Sequence, residues 1–376
     1  MTAGCVARQV AVFGLPGHDL PRSERASGEV LRQPLDATDW RELIALVRRL
    51  RLTGFLQAAL VADALPVTEE QRRHAAEFHL AACITALQLE RRLLILVDEL
   101  QRAGIEVVVL KGAAAAHLLY PEPAVRMFGD NDLLFRSAQI DDALAVLGEL
   151  GYRRSAAPLR RGFDRRFGKG ATLVGDAGDE LDAHRTLVFG SFGLTIELDE
   201  LFDSSVSFPL GGRPLRALGP ETGLLHACYH AALGDPEPRL SSLRDVAQRF
   251  ALGWHDPERL VELARRWRAE AVVARTLALC AHHLGVQIED PAARVLAEHR
   301  PTRHEQRAID SYVGSNRSHA RKVVASLPYL DGAASKAAFL RDNLAPGTGF
   351  VGWGGDRPGF AWVGRGLRSL RHGGER

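Results

Sequence analysis

From about residue 39 to residue 103, apolar residues recur at spacings of three and four, the period of one helix face. Trp40, Leu43, Ile44, Val47 and Leu50 share such a face, behind Asp36 or Thr38 as a cap. A second helix is expected over about 54–64. Thr68, after Pro66, then opens a long helix carrying Phe78, Cys83, Leu87, Leu94, Val97 and Leu100, which stops near Gly104. There the period changes. Residues 105–110 (IEVVVL) form a short β-branched run that reads as a buried strand. Lys111-Gly112 leads at once into an Ala-rich helix over 113–119, and a second strand is expected over 131–135. Residues 138–150 read as an amphipathic helix. Two hairpins follow, 171–174 with 180–184 around GDAGD, and 206–208 with 214–218 around Gly211-Gly212.

Helices return after Pro220, over about 220–233, 241–253, 257–268, 270–285, 290–298 and 302–314. The pattern predicts an α+β fold: a small mixed β-sheet core over 105–219, flanked by an N-terminal helical region, 38–104, and a C-terminal helical domain, 220–345. An irregular arm over 1–37 and a Gly/Arg-rich tail over 346–376 complete the expected organisation.

Composition narrows the class. With 46% hydrophobic and 25% charged residues, the 376-residue chain is that of an ordinary globular protein. Its 48 basic and 46 acidic residues leave a formal charge of +2, which argues against a dedicated nucleic-acid binder. Arg153, Arg154, Arg160, Arg161, Arg165, Arg166 and Lys169 nevertheless crowd one stretch, as a solvated loop or as a rim that attracts phosphate. Four scattered cysteines make no CxxC pair, and Cys83, Cys228 and Cys280 read as small core residues. With no signal-like segment and no run of about 18 apolar residues, a cytoplasmic protein without membrane spans is expected.

The candidate chemistry lies in Asp130-Asn131-Asp132. Alternate residues of a strand share a face, so Asp130 and Asp132 are expected to project together. Paired carboxylates attract a hard divalent cation, which completes its shell with substrate phosphates. A DxD pair alone is common, but this one follows a strand, Lys-Gly turn and helix start where backbone N–H groups and Lys111 can meet a phosphate. Arg126 is a further phosphate candidate. The hairpin strand ELDAH supplies a third acid, Asp182, as metal ligand or as base for an acceptor hydroxyl, with His184 on the same face. His184 also reads as a hydrogen-bonded structural histidine. Glu197 and Asp199 read as surface acids at a helix start. His226 and His230, one turn apart, read as packing at the edge of the site rather than as zinc ligands.

The stretch GIEVVVLKGAAAAHLLYPEPAVRMFGDNDLLFR resembles the signature of uncharacterised bacterial nucleotidyltransferases of the DNA polymerase β-like superfamily. LDAHR and the later LLHACYH fit the same layout, so the resemblance covers roughly 38–250. It implies a polymerase β-like fold and transfer of a nucleoside monophosphate from a nucleoside triphosphate, ATP first, to an acceptor. Asp130, Asp132 and Asp182 would hold Mg²⁺ or Mn²⁺, while Lys111, Gly112, Ala113, Arg126 and His184 would line the nucleotide site. A small molecule or peptide of a biosynthetic pathway is the expected acceptor, ahead of a protein side chain and RNA. Ala113 stands where the superfamily carries Gly or Ser, and Asn131 where it carries an apolar residue. Those departures keep open a catalytically inactive nucleotide- or partner-binding protein on the same fold. A DxD glycosyltransferase fits less well, because mostly helices precede the motif, and a haloacid dehalogenase-type phosphatase lacks its Thr or Val after the second acid.

Overall fold

The computed structural model describes residues 2–16, 31, 33–314 and 317–344. The chain opens with α1 (Ala3–Val12), α2 (Ala37–Arg49), α3 (Thr53–Val61) and the 34-residue α4 (Glu69–Arg102). The central region contains β1 (Val107–Val109), α5 (Ala113–Leu119), β2 (Asn131–Phe135), α6 (Ile140–Glu149), β3 (Arg153–Arg154) and α7 (Phe163–Arg166). It continues through β4 (Gly170–Val174), β5 (Glu180–His184), α8 (Leu198–Asp203), β6 (Val206–Leu210) and β7 (Arg213–Ala217). Then come α9 (Pro220–Leu233), α10 (Leu240–Leu252), α11 (Pro257–Arg266), α12 (Glu270–Leu279) and α13 (Pro291–Ala297). The last helices are α14 (Arg303–Asp310), α15 (His319–Ser326) and α16 (Ala333–Leu344). Helix starts are fixed by local chemistry. Asp36 accepts from the N–H groups of Thr38 and Asp39 ahead of α2, and Thr68 and Gln71 cap α4 reciprocally.

The seven strands form one mixed sheet in the order β3-β4-β5-β2-β1-β7-β6, with both expected hairpins present. Strand periodicity divides the core. Val107, Val109, Leu133, Phe135, Leu181 and Ala183 point to one face, where α4 and α6 cover them with Leu93, Leu96, Leu100, Ala143 and Leu147. Val108, Leu110 and Leu134 point to the other, into a cluster that joins α1–α3 to α9–α13. Asp132, Asp182 and His184 alternate with the first set, so they face the second side.

Four sequence expectations change. The arm expected to be irregular over 1–37 begins with α1, whose Ala3, Val6, Ala7, Val10 and Ala11 are buried. Its C-terminal carbonyls are capped from far along the chain: Arg244 Nη1 donates to the carbonyls of Ala11 and Phe13 at 2.9 and 2.8 Å. The helix expected over 270–285 ends as a π-helical turn, Cys280–Leu284. The basic stretch 153–169 folds into β3 and α7 and is largely engaged in ion pairs. Arg154 meets Asp164 at 2.8 Å, and Arg166 meets the enclosed Asp342 of α16 at 2.6 Å. Cys228 and Cys280 are core residues as expected, whereas Cys83 is only half-buried on α4. The tail 346–376 lies outside the described residues. Among the described residues, no helix is long and apolar enough to cross a membrane.

Candidate active site

Parallel pairing of β2 with β5 sets Asp132 opposite Asp182 and Leu134 opposite His184. Because alternate residues share a face, both acids and the histidine converge on one side of the sheet. His184 Nε2 lies 2.9 Å from Asp132 Oδ1 and 3.8 Å from Asp182 Oδ2. The ligand atoms of Asp132, Asp182 and His184 all fall within 4.8 Å of one another, a spacing that can hold a metal ion.

The electrostatics of this cluster are set by burial against charge. Enclosure of Asp132 would by itself raise its pKa. Lys111 Nζ at 2.9 Å and the His184 hydrogen bond reverse that and hold the carboxyl well below the usual carboxylate range. Desolvation likewise works against the Lys111 charge, but Asp132 and Asp130 outweigh it and raise the pKa. For His184, burial dominates, Lys169 adds to it, and the Asp132 hydrogen bond only partly opposes the fall. The imidazole is therefore neutral near pH 7, so the assignment consistent with the geometry has Nε2–H donating to Asp132. Its Nδ1 has no hydrogen-bond partner among the described residues. Neither has Asp132 Oδ2, since the Lys111 contact is a close ion pair not aligned as a hydrogen bond.

The other expected residues divide clearly. Asp182 accepts from Thr172 Oγ1 at 2.6 Å, stands 3.9 Å from Lys169 and remains partly exposed. Asp130 lies one residue before β2, outside the close group, paired with Arg51 at 3.3 Å and with Lys111 at 3.4 Å. Gly112 has a φ of +59° and ψ of −120°, and a Cβ there would stand 3.3 Å from the Asp130 carbonyl oxygen. The Lys111-Gly112 turn thus packs on the backbone that presents Asp130, and with its positive φ the position is strained for any side chain. Ala113 is buried in the α4-side cluster. Asn131 is anchored to α4, its Nδ2 donating to the Leu89 carbonyl at 3.1 Å, which accounts for a polar residue between the acids.

Arg126 is turned toward α10. Its Nη2 lies 2.7 Å from Asp245 Oδ2, and Tyr120 donates its hydroxyl to Asp245 Oδ1 at 2.8 Å. His226 and His230 of α9 line a small cavity with Lys111, and neither joins the metal-type group. Burial drives the pKa of both well below the usual histidine range, so both rings are neutral. Sequence reasoning missed Arg51, Thr172, Tyr120 and Asp245. Arg51 follows α2 in a left-handed conformation at φ +56°, and no local pattern links it to a carboxylate 79 residues away.

The arrangement is a set of oxygen donors against a lysine, suited to a hard cation and a phosphate. Several known proteins are similar to this chain. Among solved structures, ANT(2″)-Ia in complex with adenylyl-2″-tobramycin is 15% identical, covering 48% of this chain and 97% of its own, with a TM-score of 0.35. A solution structure of the antibiotic-resistance factor ANT(2″)-Ia is 16% identical, covering 53% and 99%, with a TM-score of 0.35. An antigenic nucleotidyltransferase-like protein from Paracoccidioides brasiliensis is 14% identical, covering 55% and 95%, with a TM-score of 0.34. No curated protein sequence matches the chain significantly. The profile of the family described as "Uncharacterised nucleotidyltransferase" matches residues 36–285, which span α2 to α12 and include every candidate residue above. The chain belongs to that nucleotidyltransferase family.

Proposed function

We propose that this protein is a divalent-metal-dependent nucleotidyltransferase, moving a nucleoside monophosphate from a nucleoside triphosphate to an acceptor hydroxyl. The observation that carries this reading is the register of Asp132 against Asp182 on adjacent parallel strands, with Lys111 beside them. The donor set fits a hard ion. Asp132 and the partly exposed Asp182 bring carboxylate oxygens within 4.8 Å of each other, beside Lys111, so the two supply what Mg²⁺ or Mn²⁺ takes. Asp130 is the third carboxylate of the set. His184, donating to Asp132 from behind, orients that ligand rather than reaching a nucleotide.

When bound, the ion would neutralise developing phosphate charge and orient the reacting oxygens. The chain's own residues do the rest. Lys111 supplies a fixed positive charge to the triphosphate. Asp182, the more exposed acid, takes the proton of the acceptor hydroxyl. The acceptor oxygen then bonds to the α-phosphorus, the α–β bridging bond breaks, and pyrophosphate leaves. ATP is the first candidate donor, and a small molecule or peptide of a biosynthetic pathway the first candidate acceptor. The test is a panel of triphosphates and acceptors with Mg²⁺, read as pyrophosphate release. Asp130→Ala and Asp132→Ala should each abolish the release, and unchanged activity in both would remove the assignment.

A further inference from the structure

Helix α4 is held at both ends and left bare between them. Its first turns lie against α2 and α3, and Leu89, Leu93, Leu96 and Leu100 pack on the sheet. Between Phe78 and Leu89 it carries no Asp, Glu, Lys or Arg, although most of that stretch is exposed. Leu80, Ile84 and Leu87 are 61%, 50% and 64% exposed. Single exposed apolar side chains are ordinary, but three in one row on a helix mark a surface that is covered in use. Glu77 and Arg91, both exposed, continue the row at its two ends. From Glu77 through Leu80, Ile84 and Leu87 to Arg91 the spacings are three, four, three and four, the seam of a helix that packs along another helix. Neither Glu77 nor Arg91 forms an ion pair or hydrogen bond among the described residues.

We propose that this face of α4 joins two copies of the chain in a two-fold dimer, with the two helices antiparallel and meeting near Ile84. The charges select both the partner and its direction. Glu77 and Arg91 lie equally far from Ile84 on opposite sides. An antiparallel copy therefore brings Glu77 toward the partner's Arg91 at each end of the contact, while the apolar residues of the two chains close over one another. A parallel copy would set like charges together at both ends. The row is thus complementary to itself, as a two-fold contact requires. Ala81 and Thr85, small and exposed beside the row, leave room for the opposing leucines. Burial of the apolar row supplies most of the stabilisation, and the end charges fix the orientation. A single helix pair of this length is a small interface, so the dimer forms reversibly as concentration rises. Asp132, Asp182 and His184 face the opposite side of the sheet from α4, so pairing leaves both sites open, and the inference does not depend on the proposed reaction.

The test is analytical sedimentation of the full-length protein over a concentration series that extends well above micromolar. Wild type should pass from the 41.1 kDa monomer to twice that mass. Ile84→Glu, at an exposed position, should stay monomeric throughout with an unchanged melting temperature. Glu77→Arg and Arg91→Glu should each weaken the dimer about tenfold, because both ends of the contact lose a pair and gain a repulsion. The double variant Glu77→Arg/Arg91→Glu should restore it, which a defect in folding would not do. Carbodiimide crosslinking of Arg91→Lys, mapped by mass spectrometry, gives a second readout. Positions 77 and 91 stand about 21 Å apart along one helix, so a crosslink from the new amine to Glu77 forms only between chains. Wild type that stays monomeric throughout overturns the proposal. So does a dimer that withstands Ile84→Glu or both charge reversals, or one that yields no crosslink to Glu77.

Discussion

His184 Nε2 stands 2.9 Å from Asp132 Oδ1, with both side chains enclosed and on neighbouring parallel strands. The contact fixes the orientation of Asp132 and leaves its second oxygen facing Lys111, whose Nζ lies 2.9 Å away. An acid held in this way is positioned before any ligand arrives. Partners that orient a metal ligand carry a characteristic cost when removed, and this gives the first prediction. His184→Ala should lower metal affinity or activity by about 10–100-fold while leaving the strands paired. The check is the Mg²⁺ or Mn²⁺ dependence of pyrophosphate release. A shift in metal requirement identifies an orienting role, whereas an altered KM for the triphosphate alone would identify a nucleotide contact.

Gly112 governs how the Lys111 turn meets Asp130. At φ +59° and ψ −120° it occupies backbone space that is costly for any other residue. Gly112→Ala should cost about 1–3 kcal/mol, read from urea denaturation. Activity should fall further than stability, because the new methyl presses on the Asp130 carbonyl.

The Arg126–Asp245 pair predicts a larger structural effect. Both groups are nearly enclosed, and Asp245 also accepts from Tyr120. Asp245→Ala leaves a buried guanidinium uncompensated and a buried hydroxyl unpaired. The expected loss is about 3–5 kcal/mol in the urea unfolding free energy. A loss under about 1 kcal/mol would show that the interior around Arg126 is wetter than its burial implies.

Burial lowers the pKa of His226 and His230 well below that of an unfolded histidine, about 6.5. Below pH 6.5 the unfolded chain therefore binds protons that the folded chain refuses, so stability is lost as pH falls through and below 6.5. Above 6.5 both states are neutral at these rings and the effect vanishes. Each ring contributes up to about 1.4 kcal/mol per pH unit. Urea midpoints at pH 7.5, 6.5 and 5.5 should decline over the last interval, and the decline should flatten in the His226→Gln/His230→Gln variant.

How much of this was legible in the sequence follows from how local each interaction is. Strand and helix periods marked β1, β2 and both hairpins and put Asp182 and His184 on one face, because alternation is a property of neighbouring residues; that Asp132 rather than Asp130 joins them follows from the pairing of β2 with β5, which no local pattern encodes. The spacing of Ala3, Val6, Ala7, Val10 and Ala11 also carried a helical period, in residues too small to stand out. The cap that holds its end, Arg244, lies more than 200 residues away. Arg51 and Asp245 were illegible for the same reason: their roles depend on which helices pack together, and no local pattern encodes that. Arg126 looked like a phosphate contact by its place before the acids, yet the packing of α10 gave it a carboxylate instead. Asn131, which seemed to break the motif, serves α4 rather than the site.

The central claim is transfer of the α-phosphoryl group with its nucleoside, dependent on Asp132. Its most direct test compares ATP labelled at the α-phosphate with ATP labelled at the γ-phosphate, each incubated with Mg²⁺, wild type or Asp132→Asn, and a fraction of small metabolites and peptides. The account predicts a new labelled product from the α-label only, with the γ-label recovered in pyrophosphate, and no product with Asp132→Asn. A product carrying the γ-label, or equal α-labelling by wild type and Asp132→Asn, would contradict it.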